Sequence, residues 1–330
     1  MAAPLPLTLA CGPYDRFRPL MDGAVRPMGI DLRYLPIPSG PEIFARFYKH
    51  HEFDVAEFAL TFYAILKSQG EVSFTAIPVF PSRMFRHGFI VVREDAKIRE
   101  PRDLEGKRVG VPEYRQTAAV WIRGMLQHDH GVKLEKIHWL EGGIDKPRQP
   151  DEMDVAPAPP FMVEFIKPGQ TLSGMLERGE LDAYLGSRLP DCFGRVPGIQ
   201  RLFPNPREAE CDYYLRTGIF PIMHTLVIRN ELLAREPWVA KSLYDACEES
   251  KTRCLKDLRF TGASRVMIPW LHADLEEARE LFGEDIWPYG VARNRVALEA
   301  VAGYLVEQGL APRFVAPEEL FHSSASDNYF

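Results

Sequence analysis

Short apolar runs of β type alternate with helical stretches along this chain, and that rhythm restricts the fold more than any other feature. PLTLAC, IDLRYLPI, FDVAEFA and FTAIPVF read as strands, and PEIFARFYKH and TFYAILKSQG read as the helices between them. Such βαβ alternation builds a largely parallel sheet. FIVVRED adds a strand, and beyond REPRDLEGK the rhythm restarts with the strand RVGVPE, the helix QTAAVWIRGMLQHDHG closed by Gly131, and the strand KIHWLEGG. From Gly142 to Gly169 the prolines at 147, 150, 157, 159, 160 and 168 exclude a continuous helix or central strand and predict an ordered excursion over the surface. TLSGMLERGELDAYLGSR then predicts a helix, a turn at Gly179 and a strand. MHTLVIRN predicts a strand returning to the first sheet, followed by the helix PWVAKSLYDACEESKTRCLKDL and a mostly helical C-terminal part ending at PEELF.

With 330 residues, 46% of them hydrophobic, the chain exceeds the usual size of one core. The predicted architecture is an α/β clamshell of two lobes, residues 1–90 with 222–330 and residues 91–221, joined by two strand-like crossings near residues 88–95 and 221–229. A ligand would sit between the lobes.

Charge and composition exclude several function classes. A net charge of −6 and the lack of any Lys/Arg run argue against nucleic acid as a partner. No apolar run approaches the ~18 residues of a membrane span, so no membrane partner is expected. The opening MAAPLPLTLACG has neither a basic n-region nor a long apolar h-region, which predicts a cytoplasmic location. Five cysteines without a CxxC suit reduced thiols. There is no GxGxxG, GxxxxGK[ST], GxSxG or HExxH, and HHEFD and HDH lack a third ligand at a metal-binding spacing. No cofactor and no metal ion are expected; a homo-oligomeric state is left open.

Parallel sheets hold ligands beyond the carboxyl ends of their strands, which directs attention to CGPYDR, EFALTF, FPSRMFRH, PEYRQT, LEGG and LGSR. Arg16, Arg83, Arg86 and Arg188 supply forked cations there, and Gln116 and Thr117 fall where a helix begins, so its free N–H groups would face the same cleft. Together they describe a site for carboxylates. Taken singly, each has a plainer explanation: Asp15 would pair with Arg16, and Thr117 would cap its helix. Among nine histidines, His87 and His224 stand where the chain crosses between lobes, flanked by apolar residues, and an imidazole there can donate a proton near neutrality. The alternative for each is a satisfied core histidine.

YDR, GIDL, FDVAEFA, IPVFPSRMFRH, REPRDLEGKRVGVPEYRQTAAVWIRGML, RTGIFPIMHT and WPYG together resemble the 4,5-dihydroxyphthalate decarboxylase family, over a stretch from about Leu7 to Phe321. FPSRMFRH and RTGIFPIMHT are the most specific of these. The resemblance implies the fold of type II periplasmic binding proteins and the non-oxidative conversion of 4,5-dihydroxyphthalate, a small aromatic dicarboxylate, to 3,4-dihydroxybenzoate and CO2. On that basis Arg83 and Arg86 would clamp the carboxylate that stays, His224 or His87 would protonate the ring, and Glu113 or Asp15 would accept from a phenol. Two other readings use the same clamshell: a receptor that only binds an aromatic acid, and a related enzyme acting on a different aromatic acid.

Overall fold

The computed structural model describes residues 3–70, 72–263 and 265–325. Among the described residues, eleven strands form two sheets. The chain begins with β1 (Leu5–Cys11), α1 (Arg18–Met21), β2 (Ile30–Pro36), α2 (Gly40–His50), β3 (Val55–Ala59), α3 (Leu60–Gln69) and β4 (Phe74–Ile77). The middle contributes β5 (Ile90–Arg93), β6 (Arg108–Val111), α4 (Thr117–His130), β7 (His138–Glu141), β8 (Val163–Phe165), α5 (Leu172–Glu177), β9 (Ala183–Leu185), β10 (Ile199–Arg201) and α6 (Pro206–Thr217). The chain then returns through β11 (His224–Arg229) and continues as α7 (Asn230–Arg235), α8 (Trp238–Leu258), α9 (Leu271–Phe282), α10 (Arg295–Glu307) and α11 (Pro317–Leu320).

The first sheet has the order β2-β1-β3-β11-β4 and the second β10-β5-β9-β6-β7-β8. Both are mixed rather than purely parallel. β11 re-enters the first sheet from the second and therefore runs antiparallel to both neighbours, β3 and β4; β5 is likewise antiparallel to β9 and β10. The first crossing lies ahead of the expected 88–95, and the second falls at the start of the expected 221–229. Residues 82–84 run beside 221–224, joined by Met84 N–H to the Pro221 carbonyl (3.1 Å) and Met223 N–H to the Ser82 carbonyl (2.8 Å). Two adjacent extended segments thus connect the sheets. The proline-rich stretch is irregular as expected, apart from the three-residue strand β8, which sits on the sheet edge.

α4 shows why its sequence is so apolar. Every residue from Thr117 to Leu126 is buried, because the helix packs against α3 on one side and α10 on the other, and it ends on Gly131 with φ 66°. Trp121 Nε1–H donates to the Ile222 carbonyl (2.9 Å), and the Gln308 side-chain amide donates to the Val120 carbonyl (3.0 Å). Gly124 touches the Tyr304 ring so closely that a Cβ would overlap it. Gly124→Ala is therefore expected to destabilise the protein by about 1–3 kcal/mol despite alanine's better helix propensity. A lower denaturation midpoint would show it. The buried apolar residues of both sheets and of the C-terminal helices form one main core, with a smaller cluster around Val91, Leu176 and Tyr184.

Candidate active site

The site starts from a carboxylate inside a strand. β3 is central and buried at all five positions, including Glu57, whose relative exposure is 0%. A buried carboxylate must be paired and hydrogen-bonded. Glu57 Oε1 accepts from the Tyr14 hydroxyl (2.7 Å) and contacts His224 Nδ1 (2.6 Å), while Oε2 accepts from the Gly12 N–H (2.8 Å) and the Cys11 thiol (3.4 Å). Sheet register brings these groups together: His224 faces Ala59 and Leu226 faces Glu57, so Glu57 and His224 are diagonal neighbours on one face. Burial works against the charge on Glu57, but the His224 hydrogen bond and charge, with Gly12 and Tyr14, outweigh it and hold the carboxyl below its usual range. A carboxylate only accepts, so Nδ1–H of His224 donates to it and Nε2 is the ring nitrogen left for other partners. The His224 ring also packs edge-on against Phe44, at 5.0 Å between centroids.

His224 borders a cleft of about 250 Å³ between the two sheets. An engineered cavity of ~150 Å³ can hold benzene, so this one has room for a ring with several substituents. Its first wall comes from α2 and the ends of first-sheet strands and is largely apolar: Pro41 and Phe44 of α2, with Ala59 and Met223 beside His224. The opposite wall is polar and comes from the loops after β6 and β9 and the start of β5's approach: Arg86, Glu113, Arg115, Gln116, Thr117 and Ser187. Asp151 and Met153 of the proline-rich excursion complete the rim. Asp151 reaches Lys49 on α2 (3.1 Å), an ion pair that joins the excursion to the other side of the cleft.

The polar wall is firmly held. Thr61 at the start of α3 donates to the Arg115 carbonyl (3.0 Å) and shares a hydrogen bond with the Thr117 hydroxyl (2.8 Å). The Arg115 guanidinium lies over the Phe62 ring (4.4 Å) and meets Glu113 Oε2 (2.9 Å). Arg86 donates to the Ser187 carbonyl (2.8 Å), and burial pushes its guanidinium down to about 10. The Nε–H groups of Arg86 and Arg115 and Oε1 of Gln116 are buried without a protein partner. α4 opens toward this wall, and the first N–H groups of a helix have no intrahelical acceptor. The arrangement offers an anion two guanidiniums and a helix N-terminus facing one imidazole across an apolar floor.

Of the residues predicted from sequence, the structure brings together Arg86, Glu113, Gln116, Thr117 and His224 on this cleft, and it leaves five elsewhere. Arg83 is buried away from it, donating to the carbonyls of Pro288 (3.0 Å) and Phe220 (2.8 Å) with Phe220 stacked on its guanidinium (4.6 Å). Its guanidinium is held within the fold, and it does not line the cleft that Arg86 lines. Arg16 lies between Tyr14 and Trp287 and donates to the Pro81 carbonyl, with Asp15 as its exposed ion-pair partner. Arg188 is a surface residue paired with Asp145 (2.5 Å).

His87 packs between Phe203 and Tyr213, with Glu210 at 3.9 Å from Nδ1. Burial, followed by the charge of nearby His130, pushes it down to about 4 from 6.5, so it is neutral at pH 7 and has no proton to give. Its folded value lies below its unfolded one, so its contribution to stability is present above pH 6.5 and is lost as pH falls toward 4. His87→Phe should flatten that part of the stability-versus-pH curve, measured by denaturant unfolding; an unchanged slope would contradict the assignment.

Sequence reasoning missed Glu57, Tyr14 and Arg115. Glu57 was detectable as the one ionisable group inside an apolar strand run, VAEFA. Tyr14 and Arg115 stand in the loops CGPYDR and PEYRQT, beside residues chosen instead of them.

Two mixed sheets joined by paired crossings, with a ligand-sized cleft at strand ends, define a periplasmic-binding-protein-like α/β protein. Solved structures agree. The chain is similar to the periplasmic aliphatic sulphonate-binding protein SsuA from Escherichia coli (TM-score 0.54, 10% identity, covering 98% of this chain and 99% of that one). It is also similar to a putative periplasmic sulfonate-binding protein from Methylobacillus flagellatus (TM-score 0.53, 12% identity, covering 97% and 92%). A family model described as NMT1/THI5 like matches residues 85–161. The chain is 38% identical over 326 residues to a 4,5-dihydroxyphthalate decarboxylase of Comamonas testosteroni, covering 98% of both proteins. It is 40% identical over 211 residues to a protein of the same name from Pseudomonas putida, covering 64% of this chain and 81% of that one. The chain belongs to the 4,5-dihydroxyphthalate decarboxylase family.

Proposed function

We propose that this protein converts 4,5-dihydroxyphthalate to 3,4-dihydroxybenzoate and CO2, and that it does so by protonating the ring carbon that carries the departing carboxylate. The observation behind the mechanism is the Glu57–His224 pair opening onto a cleft with a cationic opposite wall. Each carboxylate of this substrate has a hydroxyl para to it. Transfer of the His224 Nε2 proton to the ring carbon forms a C–H bond and a cation delocalised onto that phenolic oxygen. The C–CO2 bond then breaks, its electron pair restores the aromatic ring, and His224 regains a proton from water. Glu57 acts as a positioning residue that fixes the imidazole's orientation and tautomer. The carboxylate that stays binds Arg86, Arg115 and the start of α4. The one that leaves lies against Phe44, Ala59 and Met223, where it has lost most of its hydration.

In this reading residues 1–90 with 222–330 form one lobe and 91–221 the other, and they close at the rim, where Asp151 meets Lys49. The enzyme works in the cytoplasm, in keeping with five unpaired cysteines. No helix among the described residues is long and apolar enough to cross a membrane.

The test is incubation of the purified protein with 4,5-dihydroxyphthalate in D2O. The expected result is one CO2 per 3,4-dihydroxybenzoate, with a single deuterium at the vacated carbon. CO2 release no faster than without protein would overturn the function; product without deuterium at that carbon would overturn the mechanism.

A further inference from the structure

We infer that Glu113, through its ion pair with Arg115, holds the place that the substrate's retained carboxylate takes, and that on binding it changes partner to become the acceptor for a ring hydroxyl, which makes it the residue that selects hydroxylated rings. This rests on the function proposed above and adds the basis of its substrate selection.

The argument begins with Arg115. Its side chain is buried, with 8% exposure, fixed by the Phe62 ring beneath it, and it lines the cleft. A guanidinium presents Nε–H and one Nη–H as a parallel pair that matches the two oxygens of a carboxylate. In Arg115 this pair is half used. Nη2 meets Glu113 Oε2 at 2.9 Å, whereas Nε–H is buried with no protein partner. An unpartnered buried N–H beside a partnered one is what remains when a side chain within the same short loop occupies a fork shaped for a ligand. Glu113 leaves one of the two donors unpartnered, and an incoming carboxylate can satisfy both.

Arg86 supports the same reading. It is as buried as Arg115, donates Nη1 to the Ser187 carbonyl, and likewise has a buried Nε–H without a protein partner on the same wall. The incoming anion therefore meets two unfilled donors, and a second carboxylate crowded onto Arg115 is displaced by like-charge repulsion. Once displaced, Glu113 still borders the cleft, is only partly exposed, and needs a new donor. Arg148, the other cation close to it, already bonds Asp154 and Glu141, and of its neighbours on the cleft Gln116 presents a buried, unpartnered oxygen and Asp151 is itself a carboxylate. A catechol-type hydroxyl supplies that donor. An aromatic acid without hydroxyls displaces Glu113 and gives it nothing in return, so the exchange favours hydroxylated rings without any group that repels the others.

The experiment uses two acids that share the retained carboxylate and are not turned over, 3,4-dihydroxybenzoate and benzoate. Their Kd values are measured by calorimetry on the parent protein and on Glu113→Gln, with Glu113→Ala as a second variant should the first fail to fold. The parent should prefer 3,4-dihydroxybenzoate, and the variant should lose roughly tenfold or more of that preference, the range for a hydrogen bond to a charged group. Benzoate itself should bind more tightly to the variant than to the parent, because its competitor for Arg115 is gone. A parent that binds both acids equally, or a variant whose preference falls by less than about threefold, overturns the inference. Failure of the broader function is separate and shows as a parent protein that releases no CO2 from 4,5-dihydroxyphthalate.

Discussion

His224→Gln should lower kcat for 4,5-dihydroxyphthalate by roughly 10²-fold or more while leaving KM within a few-fold, because general acid catalysis contributes about 10²–10⁴ and glutamine retains a hydrogen-bonding group of similar reach. The ring nitrogen bound to Glu57 is replaced by an amide that can still donate to it, so the strand end and the cleft floor keep their shape. His87→Gln makes the contrast. That imidazole is neutral at pH 7 and buried behind Phe203 and Tyr213, away from the cleft, so kcat should stay close to the parent's. Equal losses in the two variants would remove His224 from the chemistry and leave the fold as the common cause.

Glu57→Gln should be almost as damaging to turnover, by roughly 10²–10⁴-fold, through a different route. In serine-protease triads, neutralising the buried carboxylate behind a histidine leaves geometry intact and still removes about 10⁴ of rate, because the imidazole loses its tautomer and its counter-charge. The same logic applies to a carboxylate that accepts from the Gly12 N–H, the Tyr14 hydroxyl and His224 at once. An amide in its place points two donors at these groups. Binding of 3,4-dihydroxybenzoate should change little, since Glu57 does not line the cleft, and Glu57→Asp should recover part of kcat. Loss of binding and turnover together, with no recovery by aspartate, would make Glu57 structural. The double variant His224→Gln with Glu57→Gln should be scarcely slower than either single one, as expected of residues that act as a unit.

How far the sequence revealed this site depends on where each residue stands. The cleft loops could be found because strand ends in α/β sheets mark ligand sites, and PEYRQT and LGSR follow β6 and β9 as predicted. Which arginine turns inward could not. Arg83 and Arg86 are three residues apart in FPSRMFRH, but Arg83 is opposite Ile222 in the paired crossing, and its side chain is drawn to the Phe220 and Pro288 carbonyls. The hydrogen bond from Arg83 to Phe220 joins residues 137 apart in sequence. The partners of Glu57 were hidden for a related reason: a strand pattern shows that VAEFA is buried, but only the register with β11 and the end of β1 shows what a carboxylate there meets. The sheet order was only partly legible, because alternation predicts parallel neighbours and says nothing about β11, whose direction is fixed by the place from which the chain returns.

α4 serves two purposes in one element of 14 residues: its first turn lines the polar wall of the cleft, and the same turn and the two after it are buried between α3 and α10. This has a consequence for how relatives with new substrates can arise. A substitution among Gln116–Ala119 that reshapes the wall also disturbs close packing, where a misfit of one methylene is felt. Asp151 on the excursion and Pro41 on α2 border the same cleft from exposed or half-exposed positions, where most changes shift stability by no more than about 0.5 kcal/mol. Variation in substrate range should therefore accumulate at the rim, with the anion-binding end of α4 held fixed by the core it belongs to, and a mutational library selected for turnover of altered aromatic acids should be enriched at the rim positions first.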